Sequence, residues 1–381
     1  MLPPVRELLA ELVRRPSINP MGRTDIAPEQ CHEGRVADYL EEQLKSLGVG
    51  HHRIQVALGR CNLTATFTPK FPTVHMLWEA HQDTVPVDGM TIAPFGGEIR
   101  DGRLYGRGAC DVKGGLAAML SAFGELVNLN PERCAKVTVA FTVDEEHTFL
   151  GAIVLMKELQ GIDVAIVAEP TGLNIVDAHK GVVRRQLETT GVACHSAGPE
   201  NGINAIYRMA KLLPHIEAYA AELRARPGDV RLGSGSLSVG TIHGGVSPNT
   251  VPDRCIVDLD RRLIPGESPG DAMHDLETYL RHHCEVPFNL LPELFACPPL
   301  AATNSGDLTA ELGQAIDAVV GRHEVHAVSY GTDASILAQA GVPVVVFGPG
   351  DIGDAHTKAE SVDLRQVEQA VAVLVKLALG K

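Results

Sequence analysis

The sequence predicts an α/β protein interrupted by an inserted α+β domain of ferredoxin-like order. Three observations carry this. Apolar runs that read as buried strands alternate with helical stretches up to about residue 178. After Lys180 the texture changes to half-solvated strands and two helices in the order β-α-β-β-α-β. From about residue 300 the first pattern returns. The predicted organisation is therefore one α/β domain in two parts, residues 1–179 and 296–381, around an insertion of residues 180–295 whose ends lie close together.

The elements follow in order. Residues 5–14 alternate apolar and charged positions with helical period, and Pro16-Ser-Ile-Asn-Pro20 breaks that helix. Val36–Leu47 reads as a second amphipathic helix, and residues 53–67 and 73–79 as paired strands. Leu116–Leu129 is an Ala-rich helix suited to close packing. Ala135–Thr142 is a strand rich in β-branched residues, Gly151–Leu159 a helix, and Val164–Ala168 another buried strand. The central sheet is expected to be largely parallel. In the insertion, strands are expected at Val182–Thr190, Gly235–Ile242, Asp253–Leu263 and near 286–291, with helices at Ile203–Leu223 and Ser268–His282. The last part adds helices at 306–320, 333–340 and 362–378 and strands near 325–329 and 342–347.

Composition narrows the function classes. The chain has 381 residues, 45% hydrophobic and 21% charged, enough for a sizeable core. Its formal net charge of -14, from 33 basic and 47 acidic residues, argues against nucleic acid as a partner. Aromatics at 4% are too scarce for base-stacking platforms. The eight cysteines contain no CxxC pair and read as reduced thiols in a cytoplasmic protein. Met1-Leu-Pro-Pro-Val-Arg-Glu lacks the basic end and apolar core of a signal peptide, and no apolar run approaches the ~18 residues of a membrane span.

The chemistry gathers just past strand ends, where open α/β sheets place their ligands. His81 and Asp83 follow the apolar run Val74–Trp78. Asp111 lies in the glycine-dense turn Gly106–Gly115. Asp144-Glu145-Glu146 follows a buried strand, as does Glu169-Pro-Thr171. Asp354-Ala-His356-Thr follows the strand ending at Phe347 and a glycine-rich loop. Each has a blander reading: a core histidine at 81, a helix cap at Asp111, a solvated acidic loop at 144–146, a surface imidazole at 356. Together they suit a divalent metal site, and two imidazoles with three or four carboxylates exceed what one ion needs.

The motif set resembles the family of co-catalytic zinc amidohydrolases that includes acetylornithine deacetylase, succinyl-diaminopimelate desuccinylase, aminoacylase and glutamate carboxypeptidase. The matching segments are His81-x-Asp83-x-Val-Pro86, Gly108-x-x-Asp111-x-Lys-Gly-Gly115, Asp144-Glu145-Glu146, Glu169-Pro-Thr171 and His356-Thr-x-x-Glu360. The resemblance covers nearly the whole chain. It implies a zinc-peptidase-like α/β catalytic domain with the insertion as a lid and dimerisation domain. It implies two divalent ions, Zn2+ foremost with Co2+ or Mn2+ as substitutes. In that scheme Asp111 bridges both, His81 and Glu169 complete one shell, and Glu146 and His356 the other. Glu145 is then the general base and Asp83 the residue that orients His81. A cis peptide is expected at Asp111–Val112.

In the insertion, Gly191-Val-Ala-Cys-His195-Ser-Ala resembles the motif whose histidine stabilises the oxyanion across a dimer interface. Asn249 and Arg262 resemble the residues that bind the substrate carboxylate. Strand alternation puts Arg261 and Arg262 on opposite faces; the resemblance implies Arg262, which precedes Leu-Ile-Pro-Gly at the family's spacing. Gly331-Thr332 resembles a substrate-contacting turn. The paired histidines at 51–52 and 282–283 are read as surface. The implied activity is hydrolysis of a small-molecule N-acyl amino acid in the cytoplasm by a homodimer, acetylornithine deacetylase-like, with no nucleic acid or membrane partner. A desuccinylase or carboxypeptidase/dipeptidase is the nearer alternative. A non-catalytic metal-binding protein on the same scaffold is the other.

Overall fold

The computed structural model describes residues 2–380. The chain divides into two compact units, one of Met1–Asp177, Ala302–His326 and Thr332–Lys381, the other of Ala178–Ala301 and Ala327–Gly331. The first carries most of an eight-stranded sheet in the order His51–Ala57, Arg60–Phe67, Arg133–Thr142, Phe71–His81, Val164–Val167, Val344–Val346, Ile175–His179, Val325–Val328, of which residues 178–179 and 327–328 fall in the second unit. The four strands from Arg133–Thr142 to Val344–Val346 are mutually parallel. Their residues are buried on both faces, which the near-continuous apolar runs Met76–Trp78, Val137–Phe141 and Val344–Val346 permit. Arg60–Phe67 is antiparallel to both His51–Ala57 and Arg133–Thr142, and Ile175–His179 is antiparallel to Val344–Val346, so the sheet is mixed rather than largely parallel.

Two sequence expectations need correction here. Residues 53–67 are not one strand: His51–Ala57 and Arg60–Phe67 form a hairpin closed at Leu58-Gly59, where Gly59 takes φ 72°. Nor does Arg60–Phe67 pair with Phe71–His81. Arg133–Thr142 lies between them, antiparallel to the first and parallel to the second. Its residues are buried from Cys134 onward apart from half-buried Lys136, and only a central strand position covers both faces of such a segment.

Helices Val5–Val13, Gly114–Leu129 and Leu364–Leu379 carry their apolar faces into one core with Leu8, Leu12, Phe123, Val367 and Leu374. Gly115 fits because it has no side chain: a Cβ there would meet the Ala168 Cβ at 2.8 Å. That contact brings the start of the Gly114–Leu129 helix against the residue preceding Glu169.

The second unit is a four-stranded antiparallel sheet in the order Ser236–Gly244, Arg254–Leu263, Gly181–Thr190, Asn289–Cys297. Helices Ala205–Ala225 and Pro269–His283 pack on it around Val183, Leu187, Met209, Ile216, Tyr219, Val257 and Leu276. The last strand runs to Cys297, longer than the strand expected near 286–291.

Candidate metal centre

The parallel strands end where the chemistry gathers. His81 closes Phe71–His81 and pairs in register with Thr142, which precedes Val143 and the three acids. Ala168 and Glu169 follow Val164–Val167, the next strand over. Asp111 reaches the same place from a tight turn at Ala109–Lys113 that leads into the Gly114–Leu129 helix. Its backbone is extended (φ −118°, ψ 94°), so it does not cap that helix, and the Asp111–Val112 peptide is cis.

The Asp111 carboxylate faces both imidazoles. Oδ1 lies 3.1 Å from His81 Nε2, and Oδ2 lies 3.1 Å from His356 Nε2. His356 Nε2 is also 3.3 Å from Glu146 Oε1. On the other side, Glu145 Oε2 and Glu169 Oε1 each lie 4.0 Å from His81 Nε2. Two overlapping groups have ligand atoms all within 4.8 Å of one another: His81, Asp111 and Glu146, and His81, Glu145 and Glu169. The donor set fits a metal pair. Ligand atoms about 2.0–2.1 Å from a tetrahedral ion stand about 3.3 Å apart, which is the scale of these separations. His81, Asp111, Glu145 and Glu169 are buried, while the His356 side chain is 50% exposed and opens one side to solvent.

The electrostatics point the same way. Burial pushes the Glu145, Glu146 and Glu169 carboxyls above their ordinary range, and neighbouring acids add to it. Burial would lower the His81 pKa, but the Asp111 hydrogen bond and the charges of Glu145, Asp111 and Asp83 raise it well above its usual value. Bonds to Asp111 and then Glu146 raise His356 to about 11. Burial disfavours the Asp111 anion, yet the two imidazoles hold it below the usual carboxylate range. Two imidazoles do not balance five carboxyls at 83, 111, 145, 146 and 169; divalent cations would.

Supporting contacts set the geometry. His81 Nδ1 lies 3.0 Å from the Asp83 carbonyl, against 3.7 Å from the Asp83 carboxylate. A proton on Nδ1 leaves Nε2 free as a ligand. The Asp83 carboxylate instead accepts the Glu145 and Glu146 amides at 3.2 Å and the Asn19 side chain at 2.8 Å. The Asp83 carboxylate thus fixes the acidic turn, and the Asp83 carbonyl holds the imidazole ring. Gln82 points away from the ligands and donates to the Phe141 carbonyl. Asp144 turns away too, taking φ 70° and binding Asn19 and Arg60. Asp354 likewise pairs with Arg103 at 2.5 Å.

Asn19 and Glu360 are the supports that sequence reasoning passed over as functional residues. Asn19 donates to both Asp83 and Asp144. Its one signal was its place in the helix-breaking Pro16–Pro20 segment; Glu360 stood in the His356 motif without a role.

The remaining sequence candidates lie as follows. His195 is exposed and pairs in register with Thr250, and the Asn249 carbonyl accepts the Ser196 amide, so His195 and Asn249 are neighbours in the second unit. Arg262 is half-buried and paired with Asp260 at 2.7 Å, while Arg261 is buried and paired with Glu267. Thr332 is buried and its hydroxyl accepts the Ala334 amide at the start of the Ala334–Gln339 helix; Gly331 is in the second unit. His51 binds Glu41, and His282 and His283 lie edge to face.

Carboxylates and imidazoles converging at the carboxyl ends of parallel strands are the donor set of a metal-dependent hydrolase with places for two ions. Comparison with known proteins agrees, and the chain belongs to peptidase family M20/M25/M40, whose model matches residues 77–380. Acetylornithine deacetylase of Myxococcus xanthus is 31% identical, covering 98% of this chain and 97% of its own. Succinyl-diaminopimelate desuccinylase of Ruegeria pomeroyi is 30% identical, covering 96% of each. Among solved structures, an M20 family metallo-carboxypeptidase from Sulfolobus solfataricus shares the fold with a TM-score of 0.77 at 20% identity, over 100% of this chain and 99% of that one. A dinuclear metal-binding M20 peptidase from Bacillus subtilis matches with a TM-score of 0.69 at 16% identity, over 98% and 96%. No helix among the described residues is long and apolar enough to cross a membrane.

Proposed function

We propose that this hydrolase cleaves the amide bond of an N-acyl amino acid, in the manner of an acetylornithine deacetylase, releasing a carboxylate and a free amino acid. The observation that carries the chemistry is Asp111, one carboxylate with an imidazole 3.1 Å from each oxygen. It would be shared by the two ions, with His81 and Glu169 holding one and Glu146 and His356 the other. Imidazole with carboxylate suits Zn2+, with Co2+ or Mn2+ as replacements. Bound ions of this kind supply Lewis acidity to the scissile carbonyl and make water a better nucleophile at neutral pH.

Glu145 takes the proton from the attacking water and returns it to the leaving nitrogen. Burial raises its carboxyl in the metal-free site, and neighbouring divalent cations would favour the anion that accepts the proton. Asp83 holds the Glu145–Glu146 amides, which aims two adjacent carboxylates at different tasks. His195 is proposed for the oxyanion, Asn249 and Arg262 for the substrate carboxylate, and Gly331-Thr332 for a further substrate contact.

The likeness to relatives named acetylornithine deacetylase at 30–31% identity supports the substrate class. A relative of similar identity named as a desuccinylase supports a second reading, in which the acyl group is succinyl. The protein is proposed to be cytoplasmic and a homodimer through the second unit. The apolar side chains exposed there, Tyr207 at 70% and Val246 at 93%, support the dimer. Steady-state hydrolysis of N-acetylornithine, N-succinyl-diaminopimelate and a dipeptide tests the proposal. The highest kcat/KM is expected on N-acetylornithine, and preference for the dipeptide would overturn it.

A further inference from the structure

Glu360 lies four residues past His356 and has no exposed surface. Its Oε1 accepts two successive amides, Cys110 N at 2.9 Å and Asp111 N at 3.1 Å. Its Oε2 accepts from Arg107 Nη1 at 2.5 Å, a buried ion pair. Its carbonyl accepts the Gly106 amide at 3.0 Å. The next residues, Ser361–Asp363, pair antiparallel with Arg103–Tyr105. Arg103 adds bonds to Ser361 and Asp354 across the same seam.

A buried carboxylate is costly unless it is paired and fully hydrogen-bonded. Joining the two segments does not require one, because the strand pairing and Arg103 already do so. What the carboxylate adds is specific. It fixes the amide of the residue whose side chain meets both imidazoles, and does so from the segment that carries one of them.

We propose that Glu360 is a positioning residue. Its carboxylate locks the Cys110–Asp111 turn to the His356 loop, so that the bridging carboxylate and one imidazole reach the ion pair as a single rigid unit. This rests on the two-metal reading. Arg107, 2.5 Å from Oε2, aims the Glu360 carboxylate.

The test uses the full chain stripped of metal, as wild type, Glu360→Gln and Glu360→Ala, titrated with Zn2+ against a competing chelator. Co2+ absorption serves as a probe of ligand geometry. Glutamine keeps an oxygen for the two amides but loses the charge facing Arg107. Wild type is expected to take two ions. Glu360→Gln is expected to weaken at least one of them by about 10–100-fold and to alter the Co2+ spectrum. Glu360→Ala should lose more, and if it fails to fold, the glutamine variant decides. A brace acting on the fold alone would lower the melting temperature of the metal-free and metal-loaded forms equally. Positioning shrinks the gain in melting temperature that metal confers. A folded Glu360→Gln protein with wild-type affinity for both ions and an unchanged Co2+ spectrum would overturn the assignment. A wild-type protein that takes no ion would instead overturn the metal reading on which it rests.

Discussion

Glu145→Gln separates base from ligand. Glu145 and Glu169 carboxylate oxygens stand at the same 4.0 Å from His81 Nε2, so distance alone does not distinguish their roles. Glutamine keeps the size of the side chain and leaves the Glu145 amide on Asp83. It removes the proton-accepting oxygen and one negative charge from a crowded buried cluster. A general base contributes about 10²–10⁴-fold, or roughly 3–5 kcal/mol of barrier. We therefore expect kcat to fall by about that factor, KM to change little and metal content to stay near two ions per chain. Glu169→Gln should instead lose metal first and activity with it. The assays are steady-state kinetics beside metal analysis on the same preparations. Undiminished kcat in Glu145→Gln would refute the base assignment. A fall in kcat that tracks metal loss, restored by excess Zn2+, would make Glu145 a ligand.

Further expectations concern the supports. Gly115→Ala places a Cβ 2.8 Å from the Ala168 Cβ and should cost about 1–3 kcal/mol by overpacking. Displacing the residue before Glu169, it should also weaken metal binding, checked by melting and metal titration; wild-type affinity would contradict this. Asn19→Ala leaves Asp83 and Asp144 each one donor short, at about 1–3 kcal/mol per unsatisfied buried group. Its melting temperature should drop by several degrees, whereas Leu58→Ser at the exposed hairpin tip should change stability by less than about 0.5 kcal/mol. The metal-free site should lose stability as pH rises. His356, raised to about 11, contributes fully below its unfolded value near 6.5, and that contribution fades toward 11. The raised Glu145, Glu146 and Glu169 act in the same sense, because ionising them when buried is unfavourable. Buried Lys113, lowered to about 7, acts oppositely but is common to the metal-free and metal-loaded forms. The gain in melting temperature on metal loading should therefore grow between pH 6 and 9; a gain that shrinks across that range would contradict this.

What the sequence made legible follows physical lines. The strands at Met76–Trp78, Val137–Phe141 and Val344–Val346 were readable because burial on both faces demands unbroken apolar runs. The β-α-β-β-α-β order of the second unit was readable because its strands alternate and its helices have clear amphipathic faces. The hairpin at 51–67 was not, since Ala57-Leu58-Gly59-Arg60 carries only one turn residue. Strand neighbours were missed because pairing order depends on burial across the whole sheet, not on sequence adjacency. The short strands Glu98–Arg100, Arg103–Tyr105 and Ser361–Asp363 are too brief for periodicity to register. At the site, the residues with metal-binding chemistry stood out by type and by place after strands. Asn19, Arg107 and Glu360 did not, because their partners lie far along the chain: 64, 253 and 249 residues in the pairs Asn19–Asp83, Arg107–Glu360 and Asp111–Glu360. Asp83 was found, but its carboxylate serves the Glu145–Glu146 turn while its carbonyl serves His81.

The most direct test of the central claim is metal content by mass spectrometry on purified protein, with N-acetylornithine hydrolysis followed before chelation, after it, and after Zn2+ is restored. Close to two ions per chain are expected, with activity abolished by the chelator and recovered with the metal. A chain that binds no ion even after Zn2+ is added back, or that hydrolyses the substrate undiminished when stripped, would contradict the claim.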